Sequence, residues 1–459
     1  MIDQFISIAE VLGYLKVEDI SDIEERAEII QEFLNRQASK GVGNAYERYL
    51  ENGASTAANV ITIYPRATKE CIMWCVNHYL SLNKNANVIE KACRAMKQYG
   101  TGCGTSACSC GMTSLHKEIE ARVAKLVGKE EAVLFPTGFT TNLGGISYLV
   151  GDRDLILIDG ESHSSMINGC KLSIARKMAF KHNDIADLER KLKKYGTAYE
   201  NIFVLVESAY SMSGDLSPLK EITALKKSYK FYLYVDEAHS FGFYGEKGQG
   251  YCYEQGVTED VDFIMATFSK ATASLGGFLA SKHKYCGILR WGPTYMFQAC
   301  LTPPDAAVIL ACLDEIESNP AMIRELHEKN RYMRGLLNAK KFNLGRSQSP
   351  IIPIMIPSPV KLLSVVDDLY EEGIYSTPIV YPAVQKHEGR IRLILNLAHT
   401  KEQIDYTVEM LEKICKKHDA PCFLSETKPE SEASDHPIWK DIVACSRVRQ
   451  SVSTAAGIL

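Results

Sequence analysis

Short apolar runs alternate with amphipathic stretches between residues 131 and 267 of the chain. Runs rich in branched and aromatic residues predict buried strands, and the intervening stretches, such as 185–195 and 219–229, have the spacing of helices. This alternation predicts a mostly parallel sheet with helices on both faces. The predicted strands are 132–135, 155–158, 202–206, 231–235 and 263–266.

The pattern changes on either side of this region. Residues 1–60 are predicted to form a peripheral helical extension with an amphipathic stripe along one helix. The stripe consists of Ile23, Ala27, Ile30 and Leu34. A smaller α/β unit is predicted after the main region, with helices at 322–337, 360–372 and 401–417 and strands at 351–356 and 390–395. The predicted domains are a helical extension (1–60), a large domain (61–320), a small C-terminal domain (321–420) and a polar tail (421–459).

Composition narrows the classes of protein to consider. The 459 residues include 52 Lys or Arg and 56 Asp or Glu, so the net charge of −4 offers no basic field for nucleic acid. No apolar run approaches the roughly 18 residues of a membrane span, although peripheral contact with a membrane is left open. The first residues lack the features of a secretory signal, which favours a cytoplasmic protein. The 14 cysteines are interpreted as reduced thiols.

An acidic residue and a lysine each follow one of the predicted strands. Asp236 comes directly after the run 231–235, and Lys270 follows the run 263–266 by a few residues. Two neighbouring parallel strands would carry both side chains to the same edge of the sheet. Such a pair suits pyridoxal phosphate (PLP), because the lysine binds the cofactor covalently and the aspartate keeps the pyridine nitrogen protonated. A lone lysine after a strand is usually a solvated surface charge, so the prediction depends on the accompanying motifs.

A phosphate site is predicted where the first strand of the series gives way to a helix. The turn contains Thr137, Gly138 and Phe139. Glycine lets the backbone approach a phosphate closely, and the free N–H groups at a helix start bind anions. Thr267 and Ser269 add hydroxyl groups from a second strand. Together these residues predict a cup for the cofactor phosphate.

His163 follows the predicted strand 155–158. A single histidine is more often a structural residue than a catalytic one. This one comes at the carboxyl end of a strand, where open α/β sheets bind ligands. Its ring is therefore predicted to stack on the pyridine ring of the cofactor.

Three rival motifs are weaker. The segment 236–239 spells the DEAH box of helicases, but the required phosphate loop is missing, and 128–130 does not supply it. The glycine-rich segment 100–104 follows a helical stretch and not a strand, so it does not fit a dinucleotide fingerprint. Cysteines 103, 108 and 110 match no metal-binding spacing. No metal is expected.

The order of these motifs resembles the α-oxoamine synthase family of PLP-dependent acyltransferases, which includes serine palmitoyltransferase and 8-amino-7-oxononanoate synthase. The similarity extends from about residue 70 to residue 415. Further segments that carry it are Asn77-His78-Tyr79-Leu80, the glycine-rich 100–104, Gly276-Gly277, and Arg392 followed by His399-Thr400. The resemblance implies a PLP-dependent transferase of fold type I, with a large domain built on a mostly parallel sheet and a smaller C-terminal α/β domain.

The resemblance also implies roles for particular residues. The implied catalytic residues are Lys270, His163, Asp236 and His239. The implied cofactor contacts are Thr137, Gly138, Phe139, His163, Ser211, Asp236, His239, Thr267, Ser269, Lys270, Ala299 and Cys300. Asn77 and Arg392 are expected to hold the carboxylate of an amino-acid substrate. Because the segment 297–301 resembles one that reaches the cofactor of the partner subunit, a homodimer with shared active sites is expected.

The implied reaction is a decarboxylative Claisen condensation of a small L-amino acid with an acyl thioester, either acyl-CoA or acyl carrier protein. A serine palmitoyltransferase-like enzyme of sphingolipid or sulfonolipid base synthesis is the favoured hypothesis. The donor stays open because Ala107 replaces an arginine common among relatives, and 380–383 lacks an arginine found in bacterial serine palmitoyltransferases. Alternatives are a glycine or alanine C-acyltransferase, an aminotransferase or lyase of the same fold, and a non-catalytic partner subunit. The retained Lys270 argues against the last of these.

Overall fold

The computed structural model describes residues 11, 14, 15, 17–39, 48–62, 67–381 and 383–424. Within these ranges the chain forms two compact units. The first consists of the described parts of Met1–Val76, Met212–Gly214 and Glu328–Ala433. The second consists of Asn77–Ser211 and Asp215–His327. The predicted polar tail lies outside the described residues from position 425 onward.

The strands and helices have the following bounds. The strands are β1 (Arg48–Leu50), β2 (Ala57–Thr62), β3 (Ala67–Met73), β4 (Glu131–Phe135), β5 (Leu155–Asp159), β6 (Arg176–Phe180), β7 (Ile202–Glu207), β8 (Tyr232–Asp236), β9 (Phe263–Thr267), β10 (Gly277–Ser281), β11 (Ile351–Met355), β12 (Ile374–Tyr375), β13 (Thr377–Ile379) and β14 (Arg390–Ile394). The α-helices are α1 (Ile23–Ser39), α2 (Ala86–Tyr99), α3 (Ser114–Leu126), α4 (Gly138–Leu149), α5 (Ser164–Leu172), α6 (Ile185–Tyr195), α7 (Leu219–Ala224), α8 (Tyr251–Glu254), α9 (His283–Arg290), α10 (Pro293–Met296), α11 (Pro303–Ser318), α12 (Ala321–Ala339), α13 (Pro359–Glu371) and α14 (Lys401–Lys417). Across the described ranges, no helix combines the length and the hydrophobicity that a bilayer-crossing segment needs.

The second unit is built around a seven-stranded sheet with the order β4-β10-β9-β8-β7-β5-β6. Neighbours from β9 to β6 in this order are parallel, whereas β10 is antiparallel to both β4 and β9. The central strands are buried along their whole length, which explains why they are continuous apolar runs. The prediction of a mostly parallel sheet is confirmed. The sequence pattern did not predict β6, whose first residue is exposed, or β10, which begins with a glycine.

The first unit contains a four-stranded sheet, β1-β2-β3-β12, and a three-stranded sheet, β11-β14-β13. The prediction that residues 1–60 are helical is therefore wrong for 48–50 and 57–60, which belong to β1 and β2. β2 pairs antiparallel with β3, and β3 pairs with β12, about 300 residues later in the chain. These distant partners stabilise the strands, and they also explain why the described residues before Asn77 group with the C-terminal unit and not as a separate extension.

Helix α1 exists as predicted, but its buried face differs from the predicted stripe. Ile23 and Leu34 are 70% and 42% exposed, whereas Phe33 is buried. Phe33 packs in a small cluster with Val11 and Leu15, and Ile29 and Ile30 lie against this cluster. The predicted helix is confirmed, but its buried face contains Ile29, Ile30 and Phe33 and not Ile23 and Leu34.

Candidate active site

A cleft in the second unit lies at the carboxyl ends of β4, β5, β7, β8 and β9, which is where open α/β sheets bind ligands. Predicted site residues that line it are Thr137, Gly138, Phe139, His163, Asp236, His239, Thr267, Ser269 and Lys270. Residues that line it without having been assigned a role are Asn142, Ser165, Glu207, Ala238, Met265, Leu275 and Gly276. β8 and β9 are neighbours and parallel, as predicted, so Asp236 and Lys270 reach the same edge of the sheet.

The predicted phosphate turn begins helix α4. Thr137 caps this helix, and its Oγ1 accepts a hydrogen bond from the Thr140 N–H at 3.0 Å. A Cβ atom on Gly138 would lie 2.6 Å from Thr267 Oγ1, so only glycine fits at this point. The hydroxyl oxygens of Thr267 and Ser269 are 2.9 Å apart. A helix N-terminus flanked by two hydroxyl groups is suited to a phosphate.

Asp236 is held by neutral donors. Its Oδ1 accepts a hydrogen bond from the Ala238 N–H at 2.8 Å, and its Oδ2 accepts one from Asn142 Nδ2 at 2.7 Å. The same Asn142 amide group donates to Ser165 Oγ at 2.9 Å, while Asn142 Oδ1 accepts from the Tyr234 hydroxyl at 2.8 Å. Because both ends of the Asn142 amide have partners, it fixes the orientation of the aspartate.

His163 precedes helix α5 and is held on two sides. Its Nδ1 lies 2.8 Å from Ser165 Oγ and accepts from the Ser165 N–H at 3.2 Å. Its backbone N–H donates to the carboxyl group of Glu207. The ring faces the edge of Phe139 at a centroid distance of 6.5 Å. These contacts present a flat imidazole to the cleft, as a ring-stacking role requires.

Glu207 is a buried acid in the wall of the cleft. It ends β7 and is paired in register with Asp236 on β8. Burial raises the pKa of the Glu207 carboxyl well above its usual range, the charge of Asp236 raises it further, and the His163 hydrogen bond and the charge of Lys270 oppose the shift. The raised pKa favours the protonated form of Glu207.

His239 is linked to the segment that contains Asn77. The Tyr79 hydroxyl lies 2.7 Å from His239 Nδ1, and the Tyr79 ring stacks on Phe243 at 4.2 Å between centroids. The Tyr79 N–H donates to the Asn77 carbonyl at 2.9 Å. Tyr79 is fully buried. Its hydroxyl therefore holds the His239 ring in place, and its N–H holds the backbone at Asn77.

Three further predicted cofactor contacts are not among the residues that line this cleft. Ser211 is buried in the turn after β7. Ala299 and Cys300 line a separate small pocket together with His116.

Arg392 belongs to the first unit, on strand β14, and is buried. Its neighbour on the same strand face, Arg390, has a structural partner: its Nη2 lies 3.1 Å from Glu388 Oε2, and its Nε donates to the Glu388 carbonyl at 2.9 Å. Arg390 therefore takes part in a structural ion pair. Pro382, in the segment that lacks the expected arginine, lies outside the described residues.

The cleft residues fit PLP chemically. An anion-binding turn with no room for a Cβ atom, an aspartate fixed by neutral donors, a planar imidazole and a lysine all line one cavity. They supply partners for the phosphate, the ring nitrogen, the ring face and the aldehyde of the cofactor, in that order.

Comparison with known proteins agrees with this arrangement. The family model for aminotransferase class I and II matches residues 69–411. A protein named serine palmitoyltransferase from Bacteroides thetaiotaomicron is 39% identical over 349 residues, which cover 76% of this chain and 88% of that protein. The chain belongs to the aminotransferase class I and II family. Within that family it belongs to the α-oxoamine synthase group.

Two further relatives define the group more broadly. An 8-amino-7-oxononanoate synthase from Thermoanaerobacter pseudethanolicus is 33% identical and covers 76% of this chain and 89% of its own length. The solved structure of serine palmitoyltransferase from S. paucimobilis with bound PLP–myriocin has a TM-score of 0.81 at 27% identity, covering 87% of this chain and 99% of that one. The prediction of a fold type I transferase is confirmed.

Sequence reasoning assigned no role to Glu207, Asn142 and Ser165. Glu207 had a visible signal, because it is a carboxylate directly after the apolar run 202–206. Asn142 and Ser165 had a weaker sequence signal. Each lies in the first turn or two of a helix that begins next to a predicted site residue, Gly138 or His163, where side chains project back towards the strand ends.

Proposed function

We propose that this chain is a PLP-dependent C-acyltransferase that condenses a small L-amino acid, serine in the first instance, with a long-chain acyl thioester and releases CO2, the free thiol and a 2-amino ketone. The observation that carries the proposal is the cleft in which Lys270, Asp236 and His163 come together at adjacent strand ends. The similarity to proteins named serine palmitoyltransferase supports serine as donor and a palmitoyl-like chain as acceptor.

The roles of the residues follow from their chemistry. Bound PLP supplies a protonated ring that withdraws electrons from the Cα of the amino acid. Asp236 keeps the ring nitrogen protonated, and His163 stacks on the ring face. Lys270 would hold the cofactor, and its side-chain amine, when neutral, would remove the Cα proton of the amino acid. His239 and Ser211 are proposed to contact the phenolic oxygen.

Arg392 and Asn77 are proposed to hold the substrate carboxylate, with the bidentate guanidinium setting which bond at Cα is aligned for cleavage. The resemblance in sequence supports this assignment. A donor with a second anion, such as cysteate, would need another cation nearby. Arg390 is a poor candidate because it already pairs with Glu388, which leaves Lys386 and His387 as the cations that such a donor would use.

A homodimer with shared sites and a cytoplasmic location complete the proposal. The separate pocket around Ala299 and Cys300 supports a role of that segment towards a partner copy. Mixing inactive Lys270→Ala subunits with subunits inactivated at Cys300 tests it, because one hybrid site then escapes both lesions. A fully active monomer would contradict the shared-site arrangement.

The reaction is tested with the purified chain reconstituted with PLP. We expect release of CO2 and of free CoA thiol that requires both serine and palmitoyl-CoA. Glycine, alanine and cysteate are tested in parallel as the amino acid, and acylated acyl carrier protein is tested as a second acyl donor. Lys270→Ala is the matched inactive control. Amino-group transfer to a keto acid without CO2 release would instead identify an aminotransferase.

A further inference from the structure

His182 and two carboxylates form a buried ionic cluster in the second unit. His182 Nδ1 lies 2.7 Å from Asp159 Oδ1, and Nε2 lies 2.8 Å from Asp215 Oδ2. The three side chains are 7%, 0% and 4% exposed. A carboxylate faces each ring nitrogen, so both nitrogens carry a proton and the ring is an imidazolium. Burial alone would lower the pKa of His182, but Asp159 and Asp215 outweigh it and raise the pKa to about 10.

The first carboxylate orders the turn that leads to His163. Asp159 is the last residue of β5, and its Oδ1 also accepts a hydrogen bond from the Glu161 N–H at 2.9 Å. Its Oδ2 accepts from the Asn183 N–H at 2.9 Å. The backbone from Asp159 to His163 is therefore tied to the segment that follows β6.

The second carboxylate orders the turn that contains Ser211. The Asp215 carbonyl accepts a hydrogen bond from the Tyr210 N–H at 3.0 Å, which closes this turn. Asn183 Nδ2 donates to Asp215 Oδ2 at 3.2 Å. The Tyr210 ring stands edge-on to His182 with 4.4 Å between centroids. One imidazolium thus joins the turns after β5 and β7 through the segment after β6.

We propose that His182 is a positioning residue of the cofactor site, because as a cation it holds the turn bearing His163 and the turn bearing Ser211 in one fixed arrangement. The inference rests on the proposed PLP function, in which these two residues contact the ring and the phenolic oxygen. The charged groups around His182 are Asp159, Asp215 and, at 3.8 Å, Glu161, all acidic. Without the cation these buried anions repel one another and the turns move apart.

The test compares His182→Gln with the wild-type chain after reconstitution with PLP. The readouts are the PLP dissociation constant and the visible circular dichroism of the bound cofactor, which reports its orientation. We expect the dissociation constant to rise about tenfold, kcat to fall by a factor of about ten to a hundred, and the dichroism to change. Leu192→Ala, which empties a buried position on α6, is the control: it lowers the melting temperature but leaves the dichroism and PLP affinity unchanged.

A double variant separates charge from simple damage. In His182→Gln/Asp215→Asn the repelling charge is removed together with the cation, so we expect PLP affinity and dichroism closer to wild type than in His182→Gln. Equal or greater impairment in the double variant overturns the proposal, as does unchanged dichroism in the single one.

If His182→Gln does not fold, a substitution at Asn183 tests the proposal instead. Asn183→Gly keeps the left-handed backbone at this position (φ 52°) and loses the amide contact to Asp215. Weaker PLP binding with altered dichroism supports the proposal, and wild-type behaviour contradicts it. If the wild-type chain itself binds no PLP, the proposed function fails, whereas PLP binding that no variant alters refutes the positioning role alone.

Discussion

The His182 cluster and the environment of Glu237 are two regions of the second unit that bury carboxyl groups in different ways. In the cluster, Asp159 and Asp215 share one imidazolium between them. Glu237, next to the cleft residue Asp236, is completely buried, and its Oε1 accepts a hydrogen bond from the Cys252 N–H at 2.6 Å. Burial raises the pKa of Glu237 to about 7, and hydrogen bonds from Cys252 and Ser240 oppose that shift.

The difference shows what a buried acid needs. An imidazolium flanked by two carboxylates keeps its proton into the alkaline range. A buried carboxyl group such as Glu237, whose hydrogen-bond donors do not offset the effect of burial, keeps its proton until the pH is near 7. Both arrangements lose stability as pH rises, but in different windows, because one loses the proton of the cation and the other the proton of the acid. The two regions can therefore be separated by titration.

The largest expected effect is an alkaline loss of stability that depends on His182. Its folded pKa of about 10 lies above the unfolded value of 6.5. The contribution is fully present below pH 6.5 and is lost as the pH rises towards 10, by up to about 5 kcal/mol. Urea unfolding between pH 6.5 and pH 10 should show this slope in the wild-type chain and not in His182→Gln. The same slope in both proteins would contradict the assignment.

Glu237 should produce the second-largest effect, at lower pH. Its folded pKa of about 7 lies above the ordinary 4.5, so its contribution is present below pH 4.5 and lost between there and pH 7. Because Glu237→Gln cannot ionise, this variant should be more stable than wild type at pH 8 by about 3 kcal/mol and equal to it at pH 4. Urea unfolding at the two pH values gives both differences. A variant that is less stable at both would show that Gln cannot replace the protonated acid.

The cleft was largely predictable from sequence because its parts are local. A polar or charged residue within a few positions after an apolar run marks a strand end, and Asp236, His163 and the turn at Gly138 all follow that rule. Glu207 follows it too and was overlooked only because no motif drew attention to it. The position of Lys270 beside Asp236 then depended on β8 and β9 being neighbours, which alternating α/β order favours.

The parts that could not be predicted depend on contacts between distant segments. His182 carries no local sign of its role, since its partners come from β5 and from the turn after β7. The strands β2 and β3 gave no strong pattern because β12, far along the chain, completes their sheet. Arg390 and Arg392 share a strand face, so the sequence pattern did not distinguish them. In the structure, Arg390 is the one that pairs with Glu388.

A smaller effect is expected at Asp236, the buried acid of the cleft, which is held by neutral donors. Asn142→Ala removes one hydrogen bond to Asp236 and leaves the Tyr234 hydroxyl and Ser165 short of a partner. A hydrogen bond to a charged group contributes about 1.5 kcal/mol, so kcat should fall about tenfold while the fold is retained. Tyr234→Phe, which removes only the hydroxyl that donates to Asn142, is the control and should lower kcat by a smaller factor. Equal losses would mean that packing, and not the orientation of Asp236, is responsible.

The smallest effect is expected at an ion pair outside both buried regions. Arg153 and Glu200 form a salt bridge in the second unit, with side chains 75% and 55% exposed. Water screens such a pair and the long side chains lose freedom when they form it, so Arg153→Ala should change the free energy of unfolding by less than about 0.5 kcal/mol. Its dependence on pH between 6.5 and 10 should also match that of the wild-type chain, because no histidine takes part in the pair. Urea unfolding measures both. A loss as large as that of His182→Gln would show that charge pairing itself, and not burial, determines what the cluster contributes.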